Sequence, residues 1–546
     1  MKLGRLFLGV ALAVLLCPLQ PRAQETHQHK HEMGEKLGRV NFAVSCSKPA
    51  QLKFNRAVAL LHSFWYQEAQ KAFVEVTQTD SKCGMGYWGI AMSFYHPVWA
   101  APLAADLQNG AAAVQKANVV GARTQREKDY IAAIETFYQD ANRLDHRTRA
   151  LAYQKAMEQM YLRYPKDREA AVFYALSLLG TAQPTDKTYA NQKKAAEILN
   201  KILAAEPQHP GVSHYLIHSF DYPALAPLAL SAARSYAKIA PSSPHALHMP
   251  SHIFTRLGLW QESIESNIAS AAAAKNHLAR TQPGAAAFDQ LHALDYLAYA
   301  YLQTAQDGKL KELVDALHAM NKVDANVFQA AYAFAAIPAR SAIERRQWSE
   351  AAGLKTHPAD FPWNKFPYAE AIIYFARSVG ASRSGDRAGA SKDIERLISF
   401  EASLTEAKET YWATQVEIQR RAAAAWLAHA EGKREEALKL MRSAADLEDT
   451  AEKLPVTPGP IVPARELLGE LLLELSEPSQ ALKEFEASLV VSPNRFNGLY
   501  GAAKAAELSG DREKARMFYA KLTALAERSD GKRPELQAAR VFLASK

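Results

Sequence analysis

Strand-type alternation is scarce in this chain, and the familiar signatures of chemistry are missing. There is no Gly-rich phosphate loop, no G-x-S-x-G elbow and no H-E-x-x-H helix, which removes the common routes to nucleotide binding, serine hydrolysis and zinc proteolysis. The net charge is +8, but Lys and Arg are interspersed with Asp and Glu and form no basic block. Nucleic acid is therefore not an expected partner, and the charge reads as a solvated surface. No apolar run reaches the length of a membrane span, so no transmembrane segment is expected. Cysteine is rare, with three residues in 546.

What is present is helix. Ala-rich windows with apolar residues at helical period fill most of the chain, and the fold class reads as all-α. At 546 residues the chain exceeds a single compact core. An array of repeats escapes that limit, because each repeat buries its face against its neighbours.

The N-terminus has the form of an export signal, residues 1–23. Lys2 and Arg5 precede the apolar run Leu6 to Leu16, and Pro21-Arg22-Ala23 offers a cleavage site near Ala23. Cys17 suggests lipidation, but Leu16 stands before it where a small residue is needed. A periplasmic or secreted location is expected. There an oxidising environment favours a disulfide between Cys46 and Cys83, the alternative being two free buried thiols. Closing that loop of 37 residues is worth about 4 kcal/mol on the chain-entropy model. Residues 24–45 read as a flexible tail in which His27, His29, His31 and Met33 can gather Cu or Zn weakly.

A period of 34 residues runs through the remainder. Leu468, Gly469, Ala481, Phe485 and Pro493 fall where a helix-pair repeat needs small, large and helix-ending residues, and Ala502, Ala503, Ala515 and Tyr519 repeat them. Ala69 and Phe73, then Ala437 and Met441, mark further units. His62 and His96 are one period apart, as are Trp65 and Trp99, and aromatic packing is their expected role. The array divides into residues 46–305, 306–455 and a C-terminal pair, 456–546. The Pro-rich stretch LPVTPGPIVP and the loop FPWNKFPY read as rigid connections.

The stretches VSCS, GYWGIAMSFYHP, HYLIHSFDYP, HALHMPSHIFTRLGLW and VTPGPIVPARELL resemble one group of exported bacterial tetratricopeptide-repeat proteins, over essentially the whole mature chain. The resemblance implies a right-handed superhelix of helix pairs, an α-solenoid with a concave groove for a peptide or protein ligand. It implies no activity, since such proteins usually bind partners rather than catalyse.

Histidine carries the chemical signal. His214, His218 and Asp221 share one helix face, and adding 34 gives His248 and His252. His245 and Arg256 extend the second stripe. His292 aligns with His248 once an insertion is discounted, with Asp295 and Tyr296 beside it. Equivalent positions of neighbouring repeats stack, so these rings should meet in the groove. Imidazole suits Zn, Cu, Ni and Fe. The expected metal set is His214, His218, His248, His252, His292 and Asp221, with Asp221 and Asp295 as either ligands or partners of the rings. Tyr222, Arg256, His245 and Asp295 would orient a ligand; Tyr215 is another candidate for that role. Pro250 puts the register in question, because it either kinks one helix or begins another and leaves His245 and His248 on an entry loop.

Three functions fit this pattern. The first is an exported binding protein whose groove coordinates a metal ion, Zn, Cu or Fe, or a His-bound ligand. The second is a metal-dependent enzyme of hydrolase or oxygenase type, acting on a small molecule. The third is a plain interaction scaffold of the cell envelope, its histidines ordinary polar groups of the groove.

Overall fold

The computed structural model describes Met1 and residues 35–99, 101–183, 185–451, 456–530 and 533–545. The expected export signal, the tract His27, His29, His31 and Met33, and the start of the Pro-rich stretch lie outside these residues. Among the described residues there are 26 α-helices, two short 3-10 turns and no strand. None of the helices is long and apolar enough to cross a membrane.

Helix hairpins follow one another through Lys36–Lys546, which forms one compact unit. Neighbouring helices close where a small residue admits a large one, as two places show. A Cβ at Gly89 would lie 2.1 Å from the Phe73 ring, and one at Gly501 would lie 2.2 Å from that of Phe485. Phe73 and Phe485 are fully buried, as are Ala69, Ala437, Met441, Ala481, Ala502, Ala503 and Ala515. The 34-residue pattern is therefore a packing pattern, and the chain is an all-α array of helical repeats. Local signals set the helix ends. Thr124 and Glu127 form a capping box at Gln125–Tyr138, and Gly385 takes φ +93° after Pro367–Ser384.

Cys46 and Cys83 are joined in a disulfide, which ties the entry of the chain to the start of the helix Gly84–Phe94. The last part of the segment expected to be flexible, from Leu37 on, is packed on the core. Leu37, Val40 and Phe42 are buried, and Arg39 N donates to Gln208 O at 2.8 Å. Three apolar side chains in this short segment supply enough burial to hold it on the core.

The apolar interior falls into two large clusters, one drawn from Leu37 to Phe254 and one from Trp260 to Ala539. The helices carrying His214, His218, His245, His248 and His252 belong to the first stretch and His292 to the second. The site lies along the seam. C-terminal helices also bind here: Trp260 Nε1 donates to Asn494 O at 2.6 Å, and buried Arg495 donates to Tyr299 Oη at 2.7 Å and Glu466 Oε2 at 2.9 Å.

Pro250 breaks the backbone without leaving a loop. Pro244–His248 and Pro250–Arg256 are both helical and abut at Met249, whose φ and ψ are −53° and −34°. The expected entry loop is thus a short helix. Met249 stays helical, so the one-turn spacing of His248 and His252 survives the break.

Candidate metal centre

Three elements bring six imidazoles together. The helix Pro210–Phe220 carries His214 and His218, the broken helix pair carries His245, His248 and His252, and Phe288–Gln303 carries His292. The ring nitrogens form two groups, His214 with His218 and His245, and His248 with His252 and His292; within each group they lie within 4.8 Å of one another. All six residues are buried, none more than 7% exposed. The sequence pattern placed them on an open groove face; the structure encloses them in the interior, with the Phe64 ring on His214, His218 and His245 and the Tyr296 ring on His248, His252 and His292.

Hydrogen bonds decide where the ring protons sit. His248 Nδ1 is 2.7 Å from Asn267 Oδ1, and the Asn267 amide is oriented by its own Nδ2, which donates to Ser263 O at 2.8 Å. His248 therefore donates through Nδ1. His252 Nδ1 donates to Asp221 Oδ2 at 3.0 Å, while Arg256 Nε donates to Asp221 Oδ1 at 2.9 Å. Each neutral ring has one N–H. With both rings neutral, both Nε2 atoms present lone pairs, and they face each other at 3.0 Å. A cation between them turns this repulsion into attraction. Two nitrogens on one ion, with bonds of about 2.0–2.1 Å at angles of 90–110°, stand roughly 2.8–3.4 Å apart.

In the other group one ring is fixed by its neighbour. His214 donates through Nδ1 to the backbone carbonyl of His62 at 2.6 Å, leaving Nε2 as an acceptor. That atom lies 3.1 Å from His218 Nε2 and 3.2 Å from His245 Nε2. Burial holds His214 and His245 well below the ordinary imidazole range, and neighbouring histidines push them further down. They are neutral, which is the ligating form.

A third cluster shows what a satisfied network looks like. His62 and His209 donate through Nε2 to the two oxygens of Glu169, at 2.9 and 3.0 Å. Tyr215 Oη meets His62 Nδ1 at 2.9 Å, and Val212 N donates to His209 Nδ1 at 3.3 Å. Burial alone would raise Glu169, but His209 and His62 outweigh it and hold its carboxyl far below the usual range. No lone pair faces another here. This cluster braces His62, whose carbonyl sets the His214 ring.

Several sequence expectations change place. His245, assigned an orienting role, stands in the first ring group, because the short helix Pro244–His248 aims it at His214. Asp221, counted among the ligands, instead fixes the His252 ring and pairs with Arg256, which also donates to the Asp221 carbonyl at 2.9 Å. Asp295 turns away to buried Arg340, and burial pushes it up to about 6 despite that cation. Tyr222 accepts from Gln192 Nε2 at 3.0 Å and packs on Tyr189 rather than on the rings. Tyr215 serves the Glu169 network. Tyr296 does reach the site, its ring 4.8 and 4.9 Å from those of His248 and His252. His96 packs on Tyr66 at 4.1 Å, so the His62 and His96 period does not make a pair. Asn267 and the His62 carbonyl were not foreseen; neither carries a sequence signal.

A cavity of about 410 Å³ adjoins the site through Thr255 and Arg256. Tyr189, Trp260, Tyr299 and Trp412 are among the aromatic residues that line it, and Glu448 adds a carboxyl that burial raises to about 7. Its size suits a small ligand.

No family model matches this sequence, and neither does any curated protein. Among solved structures the chain is similar to a chain of the APC/C hetero-tetramer Cut9-Hcn1, at 12% identity over 90% of this chain and 83% of that one, with a TM-score of 0.35. It is similar to human IFIT1, solved as a dimer with m7Gppp-AAAA, at 12% identity over 81% and 90%, TM-score 0.37. It is also similar to yeast Tom70, at 11% identity over 91% and 95%, TM-score 0.34. Scores this low bear no argument, and the repeat assignment stands on the packing described above.

Proposed function

We propose that this chain is a metalloprotein built on a helical-repeat scaffold, exported to an oxidising compartment, whose buried histidines hold transition-metal ions. One observation carries the reading: His248 and His252 bring their Nε2 atoms to 3.0 Å while Nδ1 of each ring is engaged by Asn267 or Asp221. A shared proton can bridge two rings, but His292 brings a third nitrogen to the same point. The disulfide supports the compartment. The repeat surface remains the natural place for a peptide or protein partner.

The cavity beside Arg256 favours a second reading, a metal-dependent enzyme whose small-molecule substrate occupies that space. The two readings share a test. Full-length protein, stripped and reloaded with Zn, Cu or Fe(II), should retain metal through gel filtration. Changing His214 and His248 together to Ala should abolish retention while circular dichroism stays helical. Equal metal content in the two proteins refutes both readings. Deleting residues 24–34 should leave the content unchanged, which excludes the histidine tract as its source. Turnover that disappears on chelation separates the enzyme from the binding protein.

A further inference from the structure

Resting on the reading that these histidines hold metal, we propose that they hold two ions side by side, and that both are copper taken up in the cuprous state. The count follows from the nitrogens. A single six-coordinate ion with bonds of about 2.1 Å would place even its opposite ligands only about 4.2 Å apart. All six nitrogens would then fall within one 4.8 Å group, whereas they close up three at a time. Two foci therefore exist, each with three imidazoles.

The foci are close together. The His218 and His252 rings are 6.3 Å apart across the seam, and those of His245 and His248 are 6.2 Å apart. The widest pair inside one group, His252 and His292, is 6.2 Å apart. Other pairs inside the groups are closer, at 4.3–5.0 Å, so the groups stand apart but side by side, and their ions would be neighbours of the kind found in paired metal sites, where about 3.5–4 Å is common.

Charge selects the metal. Imidazole coordinates a metal as an uncharged ligand, so the six rings would bring no negative charge. Asp221, the carboxylate on His252, is already paired with Arg256, and Asp295 with Arg340. Two dications would bring four positive charges into a buried site with no net counter-charge, which is costly. Two cuprous ions bring half that charge, and imidazole binds copper well.

The test is an anaerobic titration of the full chain with Cu(I), followed by oxidation with ferricyanide and electron paramagnetic resonance. Binding should saturate at two copper ions per chain. The oxidised pair should show far less signal than its copper content, because neighbouring Cu(II) spins couple. His292→Ala and His292→Gln should each drop the count to one and restore a full single-ion signal, with thermal unfolding confirming that at least one of them is folded. Saturation at one ion, or two ions with a full uncoupled signal, overturns the proposal. Tighter uptake of two Zn(II) than of two Cu(I) overturns the copper assignment. Failure to bind any metal refutes the underlying reading instead.

Discussion

Replacing Asp221 with Asn is the sharpest single probe of the ring network, because the structure dictates how the amide must turn. Arg256 Nε, a donor only, sits 2.9 Å from Asp221 Oδ1. In Asp221→Asn the amide oxygen has to face Arg256, so its NH₂ faces His252 Nδ1. That nitrogen must then accept, and the His252 proton moves to Nε2. The moved proton points at His248 Nε2, 3.0 Å away, and makes an ordinary hydrogen bond. A protonated Nε2 cannot ligate. Metal must displace that proton and restore a donor-to-donor clash at Asn. Removing a partner that orients a ligating histidine typically weakens metal binding by roughly 10- to 100-fold, about 1.4–2.8 kcal/mol. The assay is competition against a chelator of known affinity at pH 7, with wild type and variant side by side. Wild-type affinity in a folded Asp221→Asn protein would refute the assignment of ring protons. Asn267→Ala is a control at His248: it releases that Nδ1 proton without forcing it to move, so its loss should be smaller.

Glu169→Gln can accept from only one of the two ring donors, His209, so His62 must shift its proton to Nδ1 and donate to Tyr215 Oη, and both charge-assisted bonds are lost. We expect a loss of about 1–3 kcal/mol in denaturant unfolding with the metal count unchanged; a changed count would mean that this cluster also ligates. Gly501→Ala puts a methyl group 2.2 Å from the Phe485 ring. Overpacking of this kind costs about 1–3 kcal/mol, and an unchanged melting temperature would contradict the hairpin packing. Glu448, raised by burial to about 7, binds its proton more tightly in the folded state than in the unfolded one. Its contribution to stability is therefore fully present below about pH 4.5 and is lost as pH rises through 7. Glu448→Gln keeps an acceptor for Ala464 N, which now donates to Glu448 at 2.7 Å. The variant should gain melting temperature over wild type between pH 5 and 8, and a pH-independent difference would refute the shift.

A period of 34 names equivalent positions, and equivalence was enough to bring His214, His218, His248 and His252 into one place and to put Phe485 against small residues. The all-helical class and the Cys46–Cys83 pairing were legible for similarly local reasons: composition, spacing and compartment. Periodicity says nothing about whether a shared face looks toward solvent or inward, and these rings turned out to be enclosed. Nor can it report contacts made by chain far away. The His62 carbonyl that fixes His214 lies 152 residues from it, and Asn267 sits on the helix behind His248. The step from entry loop to short helix at Pro244–His248 moved His245 from the periphery into the ring group.

The amino-acid order by itself determined which side chains recur, because helical repeats copy a residue to the same place one unit later. Tertiary structure decided which atoms of those side chains remain available. Ring protons are assigned by neighbours, and the neighbours here (the His62 carbonyl, Asp221 and Asn267) come from other elements of the array.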